Sequence, residues 1–92
     1  MREEHKFFIN GVWVDPSSTE IIEVENPATE EIIGTIAAGS KEDISDAVEA
    51  AKNAFETFGS SSKDERIALL ESIITNYEDS SEELAAIISE EM

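Results

Sequence analysis

The chain has 92 residues, with 22 acidic and 6 basic side chains that give a formal net charge of −16. This length allows one domain at most, and so negative a surface would repel nucleic-acid phosphates and anionic lipids, which excludes nucleic-acid and membrane partners. Cysteine is absent, so these residues hold no disulfide, thiolate ligand or cysteine nucleophile. The charged first residues do not fit a signal peptide and no apolar run reaches about 18 residues, so we expect a cytoplasmic protein.

The first predicted element is a tight β-hairpin centred on Asn10-Gly11, the pair that best tolerates the two positive φ angles of a type I′ turn. Aromatic and β-branched residues flank this pair on both sides. Large apolar groups then stand on both faces of the hairpin, so it needs cover on both sides. The predicted register pairs Phe7 with Val14, Phe8 with Trp13 and Ile9 with Val12.

A second hairpin is predicted to join residues 20–25 to residues 31–37. Pro16 and the hydroxyl residues after it form the loop before this hairpin. Pro27 presets φ at the start of its turn and pushes the preceding residue away from helical angles, so this turn is wider than the first. Gly39 ends the β-rich part of the chain.

Three amphipathic helices follow, because the apolar residues now recur every three or four positions. The first helix is predicted to end near Gly59 and a new helix to begin after Tyr77. No stop signal follows the third helix, which suggests a truncated chain. Strands followed by helices indicate an α+β segment. Each helix has a predicted capping box at its start: Ser40 with Asp43, Ser62 with Glu65, and Ser80 with Glu83.

Few side chains are candidates for chemistry. His5 is expected to be a surface residue in a frayed N-terminus, since it has no partners at metal-ligand spacing. Gly39-Ser40-Lys41 lacks the glycine spacing of a phosphate-binding loop. Arg66 is expected to reach a carboxylate on another element. The helical carboxylates are expected on solvated faces, and the aromatics Phe8, Trp13, Phe55 and Phe58 in a core. No catalytic, cofactor-binding or metal site is predicted within these residues.

Four segments, taken in order, resemble the N-terminal part of NAD(P)-dependent aldehyde dehydrogenases. The likeness continues through Glu65-Arg66 and Glu83-Leu84-Ala85 to the end of the chain. One departure is Glu30, where the family usually has glycine, and another is Phe58, at a place often held by tryptophan. The four segments are Phe8–Val14, Glu23–Thr29, Ile33–Gly39 and Asp43–Ala51.

The resemblance implies an α+β segment of two hairpins (1–39) and three helices (40–92), the latter in the dinucleotide-binding domain of an α/β enzyme. Family members oxidise an aldehyde to a carboxylic acid with NAD or NADP, using a cysteine nucleophile, a glutamate base and a Rossmann-type sheet. None of these motifs lies in this chain. The implied role is structural and inactive alone, with the rest of the dehydrogenase chain and homo-oligomer copies as partners.

One alternative from another class stays open at this point. An autonomous acidic module could present its carboxylates to a basic protein partner. A free-standing module would cover its large apolar side chains within its own chain. The dehydrogenase interpretation predicts the opposite, namely apolar surface shaped for a sheet that these residues do not contain, with self-association or poor stability in isolation.

Overall fold

A computed structural model describes all 92 residues and shows an extended arrangement of elements. The Cα radius of gyration is 16.9 Å, whereas a compact chain of this length has about 12 Å. The accessible surface is 7573 Å², against about 5300 Å² for a folded monomer of this mass. About 2300 Å² of surface is therefore exposed beyond what a self-contained domain would leave open.

The N-terminal part forms two small sheets. The hairpin of β2 (Phe7–Ile9) and β3 (Val12–Val14) is one sheet. Its register pairs Phe7 with Val14, Phe8 with Trp13 and Ile9 with Val12, as predicted. Asn10 and Gly11 have φ of 55° and 76°, which is the type I′ geometry that makes this register.

The second sheet has three strands in the order β1, β5, β4. Strand β4 (Ile21–Asn26) pairs antiparallel with β5 (Glu31–Ala37), which confirms the second hairpin. A β-bulge interrupts the pairing between Val24 and Glu25. In the turn, Glu30 has φ of 60° and its N–H donates to the carbonyl of Asn26 at 2.8 Å. Glu30 thus occupies a left-handed position that glycine adopts at lower cost.

Strand β1 (Arg2–Glu4) was not expected from the sequence, which predicted four strands and a frayed N-terminus. It pairs in parallel with β5, and Arg2 lies opposite Gly34. A Cβ at Gly34 would lie 2.9 Å from the carbonyl oxygen of Arg2. The close approach of the two strands therefore depends on the missing side chain at Gly34.

The helices are α1 (Lys41–Phe58), α2 (Lys63–Asp79) and α3 (Ser81–Glu91). The capping boxes of Ser40 with Asp43 and of Ser62 with Glu65 are confirmed, with both reciprocal hydrogen bonds present. The predicted break after Tyr77 is also confirmed. Helix α1 lies beside β2, and α3 lies beside β4 and touches α2.

The third capping box, Ser80 with Glu83, is wrong, because Ser80 makes no side-chain cap hydrogen bond. Ser80 also ends α2, and its N–H donates to the carbonyls of Asn76 and Tyr77, both at 3.2 Å. Ser80 both ends α2 and precedes α3, and its backbone has φ −103° and ψ 6°. An N-cap serine needs extended angles to aim its oxygen at the third N–H of the helix.

Burial is confined to β5 and the start of α1. The four buried residues are Gly34, Thr35, Ala37 and Asp43, and Ala37 is the only buried hydrophobic side chain. No residue after Asp43 is buried. The prediction that the aromatic side chains lie in a core is wrong for this chain, because all four are exposed: Phe8, Trp13, Phe55 and Phe58. The predicted apolar surface without cover is confirmed.

Candidate functional site

The most organised polar cluster joins the loop after β3 to the start of α1. The carboxylate of Asp43 accepts hydrogen bonds from the backbone N–H of Ser40 and of Ser17, both at 3.0 Å. The Ser40 hydroxyl donates to the same carboxylate at 3.1 Å and also bonds the Ser17 hydroxyl. The cluster therefore fixes where the helical part begins relative to the strands.

These contacts change the acidity of Asp43. The N–H of Ser40 is the largest influence and lowers the pKa of the Asp43 carboxyl, while burial raises it. The N–H of Ser17 and the two serine hydroxyls lower the pKa further, so the net pKa lies below its ordinary value. Hydrogen bonds to a carboxylate favour its ionised form. The carboxylate is thus held as an anion at the beginning of a helix, where the helix dipole also favours negative charge.

This arrangement does not fit a dinucleotide phosphate. A phosphate bound at a helix N-terminus needs free backbone N–H groups and no competing anion. At α1, the Asp43 carboxylate already accepts the N–H of Ser40, and the Asp43 N–H donates to the Ser40 hydroxyl at 3.2 Å. Gly39-Ser40-Lys41 is consequently a strand end and helix cap in this structure.

His5 does not lie in a frayed segment, contrary to expectation. Its Nε2 forms a hydrogen bond of 2.7 Å with the hydroxyl of Thr35, and Thr35 is buried on β5. His5 follows β1 directly and is half-buried. The side chain holds the N-terminal strand against the sheet. No local pattern predicts this contact, because the two residues are 30 positions apart.

Arg66 also differs from its prediction. Its guanidinium donates to the carbonyl and the hydroxyl of Ser61, in the loop just before α2, rather than to a carboxylate on another element. The one ion pair in the structure joins Lys6 to Asp15 at 3.7 Å, with both side chains mostly exposed. Such a pair contributes little to stability. Because its guanidinium bonds only Ser61, Arg66 stabilises the loop just before α2.

The acidic side chains do not converge. No group of three or more histidine, aspartate or glutamate residues is placed where it could hold a metal ion. No helix has the length and apolar character needed to cross a lipid bilayer.

The largest candidate for function is a surface on α2. Six large apolar residues of this helix are 42–62% exposed, which is unusual for so many neighbouring side chains. At about 100° per residue they span an arc of about 160°, and we call this surface the α2 apolar arc. Its residues are Ile67, Leu69, Leu70, Ile73, Ile74 and Tyr77.

A surface helix turns an apolar stripe at least about 100° wide toward a core, and the α2 apolar arc exceeds that width. In this chain α3 is the one element with which α2 shares more than marginal contact. The hydrophobic periodicity of the sequence identifies these residues, yet it cannot say that their neighbours are missing. The arrangement can bind a large apolar partner surface, and five of its six side chains are pure hydrocarbons with no group for chemistry.

Comparison with known proteins gives a consistent result along the whole chain. The model of the "Aldehyde dehydrogenase family" matches residues 13–92. A Staphylococcus aureus protein (strain bovine RF122 / ET3-1) named "Putative aldehyde dehydrogenase" is 48% identical over all 92 residues. A similarly named protein of Staphylococcus saprophyticus is also 48% identical over 92 residues. This chain spans 19% of the length of each of these relatives.

Two crystal structures share the fold. Aldehyde dehydrogenase from Bartonella henselae matches all of this chain with a TM-score of 0.97 and 42% identity, and the match covers 19% of that chain. The Mycobacterium tuberculosis aldehyde dehydrogenase complexed with NAD+ matches 90% of this chain with a TM-score of 0.83 and 32% identity, over 18% of its own length. The extended shape of the 92 residues is therefore the shape of a segment within a much larger chain.

Proposed function

The chain belongs to the aldehyde dehydrogenase family, and from this premise we propose that it is the N-terminal structural segment of an NAD(P)-dependent aldehyde dehydrogenase. The whole enzyme would oxidise an aldehyde to a carboxylic acid. In this proposal the 92 residues contribute no catalytic or cofactor-binding side chain and are inactive alone. Residues 1–39 form the opening strands, and residues 40–92 form outer helices of the dinucleotide-binding domain.

The observation that carries the proposal is the uncovered apolar surface. About 2300 Å² is exposed beyond the expectation for a folded monomer of this size, and the matching segment of the Bartonella henselae enzyme is followed or preceded by the other four fifths of its chain. Burying apolar surface is the dominant favourable contribution to folding. The rest of the dehydrogenase chain supplies a partner large enough to cover the α2 apolar arc and both faces of the first hairpin.

The proposal assigns the chemistry to the missing part of the polypeptide. By family resemblance, that part supplies the cysteine nucleophile, the glutamate base and the sheet that binds NAD or NADP. When bound to that sheet, the dinucleotide would accept the hydride from the substrate. Within this chain, Asp43 and its serine partners hold the strands and α1 in a fixed relation, and the α2 apolar arc anchors the segment. A cytoplasmic, homo-oligomeric enzyme is part of the same proposal.

A chimera tests this function. The corresponding segment of the Bartonella henselae enzyme, which is 42% identical, is replaced by these 92 residues. We expect aldehyde-dependent formation of NADH within about tenfold of the parent enzyme, and no NADH formation by the purified 92-residue chain. Turnover by the isolated chain, or a folded chimera without activity, would refute the proposed function.

A matched pair of variants in the chimera tests the role of the helix. Ile73 belongs to the α2 apolar arc and Ser72 precedes it on the polar side of α2. Ile73→Asp places a carboxylate against the covering surface, so the yield of folded, active chimera should fall strongly. Ser72→Asp adds the same charge on the solvated side and should leave yield and activity close to the parent. Equal effects of the two substitutions would mean that the arc is not covered.

A further inference from the structure

The turn of the first hairpin places an amide side chain directly before an unhindered backbone nitrogen. Asn10 and Gly11 are both exposed, and no atom lies within 4 Å of the place that a Cβ on Gly11 would occupy. The Gly11 N–H also forms no backbone hydrogen bond. The Gly11 nitrogen is therefore free to react with the neighbouring amide group.

The other three asparagines of the chain lack such a nitrogen. Asn26 precedes Pro27, whose nitrogen carries no hydrogen. Asn53 and Asn76 lie within α1 and α2, where the N–H of the following residue is bonded inside the helix. Asn10 is therefore the one asparagine whose neighbour can act as a nucleophile.

The backbone of Asn10 is one peptide flip away from a reactive conformation. Its φ of 55° suits both hairpin turns, type I′ and type II′, which share a φ of about 60° at the first central residue. A flip of the peptide plane between Asn10 and Gly11 converts one turn into the other and changes ψ of Asn10 from about 30° to about −120°. In the flipped turn the Gly11 nitrogen lies on the same side of the Cα–C bond as the Asn10 Cβ, within reach of Cγ.

The flip leaves the strands in place. Both turn types join neighbouring strands through two residues, so the register of Ile9 with Val12 is kept. Type II′ prefers glycine at its first central position, and the flipped turn is therefore a minor state that makes the reaction slow. The hairpin itself does not need to open.

We propose that Asn10 is a site of spontaneous deamidation, which loosens the first hairpin from α1. The Gly11 nitrogen attacks Cγ of Asn10, its proton passes to the side-chain amide, and the Cγ–Nδ2 bond breaks to release ammonia. The product is a succinimide ring. Water adds to one of the two ring carbonyls and gives its proton to the ring nitrogen. Attack at Cγ leaves aspartate, and attack at the backbone carbonyl leaves isoaspartate.

Either product adds a negative charge between the hairpin and α1. Asn10 and Ile9 line one side of a cleft whose other side includes Asp46 and Glu49 of α1. Like charges brought together across such a contact are destabilising. Isoaspartate also inserts an extra carbon atom into the main chain of a turn whose length fixes the register. Both effects weaken the contact of β2 with α1.

Peptide mapping by mass spectrometry tests the site. The 92-residue chain and the chimera are incubated at neutral pH, and each asparagine is followed by the mass gain of an amide that becomes an acid. Asn10 should convert at least about tenfold faster than the two helical asparagines, whose following N–H is bonded. Both aspartate and isoaspartate should form. Conversion of Asn10 no faster than that of Asn53 or Asn76 would overturn the proposal.

Two variants separate attack by the Gly11 nitrogen from exposure of Asn10 alone. Gly11→Ala keeps Asn10 exposed but puts a methyl group beside the nitrogen, so conversion should slow at least about tenfold. Val12→Thr, the matched control, changes the next exposed side chain and keeps its β-branched shape, so the rate should stay within about twofold. Equal rates in the two variants would contradict attack by Gly11.

Comparison of the chimera with a free peptide of residues 6–15 tests the flip. Reaction within the closed hairpin predicts a rate in the chimera within about tenfold of the rate in the peptide. If the strands had to separate first, the rate would fall by the equilibrium constant for opening, at least about 100-fold for a covered hairpin. A reduction of that size would overturn the route through the flipped turn.

Hydrogen exchange in the chimera tests the consequence. Asn10→Asp introduces the charge of the product without changing the main chain, and exchange of the β2 and β3 amides should become about three- to tenfold faster. Ala28→Asp is the matched control, because it adds the same charge in the turn of the second hairpin. Equal exchange in the two variants would overturn the loosening. None of these measurements needs dehydrogenase activity, so the proposed function and this inference can fail independently.

Discussion

The strand region before Gly39 and the helical region after Asp43 obtain their order from different sources. Three of the four buried residues lie on β5, and the register of both hairpins follows from their turns. Helices α2 and α3 have no buried residue at all. Their caps specify where they begin, but packing normally supplies most of a helix's stability in a protein. The two hairpins are therefore specified by their own turns, whereas we expect the packing of the helices to come from a surface outside the chain.

The largest effect that we expect in the strand region is at Gly34. A side chain at this position meets the carbonyl oxygen of Arg2 at 2.9 Å. Gly34→Val should therefore displace β1 and destabilise the sheet by about 1–3 kcal/mol. Hydrogen exchange of the β1 and β5 amides should become about 5- to 150-fold faster.

The matched control for this substitution is Gly39→Ala. An added Cβ there comes no closer than 3.8 Å to the Phe7 ring, an ordinary contact distance. Exchange of the β1 amides should stay within about twofold of the original. If both glycine substitutions released β1 equally, the close approach at Gly34 would not be the reason for the strand pairing.

A smaller effect, of opposite sign, is expected at the turn between β4 and β5. Glu30 has φ of 60°, so Glu30→Gly removes the strain of a left-handed residue and should stabilise this hairpin by about 1 kcal/mol. Ala28→Gly, at a position without positive φ, should destabilise it by about 0.5–1 kcal/mol. Amide exchange along β4 and β5 measures both, and a stability loss at Glu30→Gly would contradict the account.

The smallest expected effect is a pH dependence at the junction of the two regions. The pKa of Asp43 is lowered in the folded chain, so its contribution to stability is present above the pKa of the unfolded chain, about 4. The contribution is lost as the pH falls from that value through the lowered folded pKa.

Nuclear magnetic resonance can follow this step at the two amides that bond the Asp43 carboxylate. The N–H signals of Ser17 and Ser40 should shift together, with a midpoint below pH of about 4. In Asp43→Asn the same signals should show no such transition. A midpoint above that pH would mean that the hydrogen bonds do not favour the ionised carboxylate.

Sequence reasoning succeeded where the cause is local. Asn10-Gly11 specifies a turn type and therefore a register. A serine followed three positions later by an acid forms a capping box at Ser40 and Ser62, although not at Ser80. The turns and caps involve residues only a few positions apart, so their cause lies within the local sequence. The left-handed position of Glu30 is instead indicated by the family resemblance, which has glycine there.

The sequence did not predict features that depend on distant partners. Strand β1 consists of Arg2, Glu3 and Glu4, which have little preference for strands, and it forms because β5 offers an open edge beside Gly34. The contact of His5 with Thr35 follows from that pairing. Arg66 lacks the predicted carboxylate partner, and its guanidinium bonds Ser61 in the loop just before α2 instead. The prediction that no catalytic or cofactor-binding residue lies in this chain stays a prediction.

Hydrogen exchange of the dilute 92-residue monomer and of the chimera tests the central claim most directly. The account predicts that α2 amides exchange at least about 100-fold more slowly in the chimera, where a partner surface covers the α2 apolar arc, while β4 and β5 change by less than about tenfold. The contradicting result is an α2 as strongly protected in the free monomer as in the chimera, since the helix would then need no surface from outside the chain.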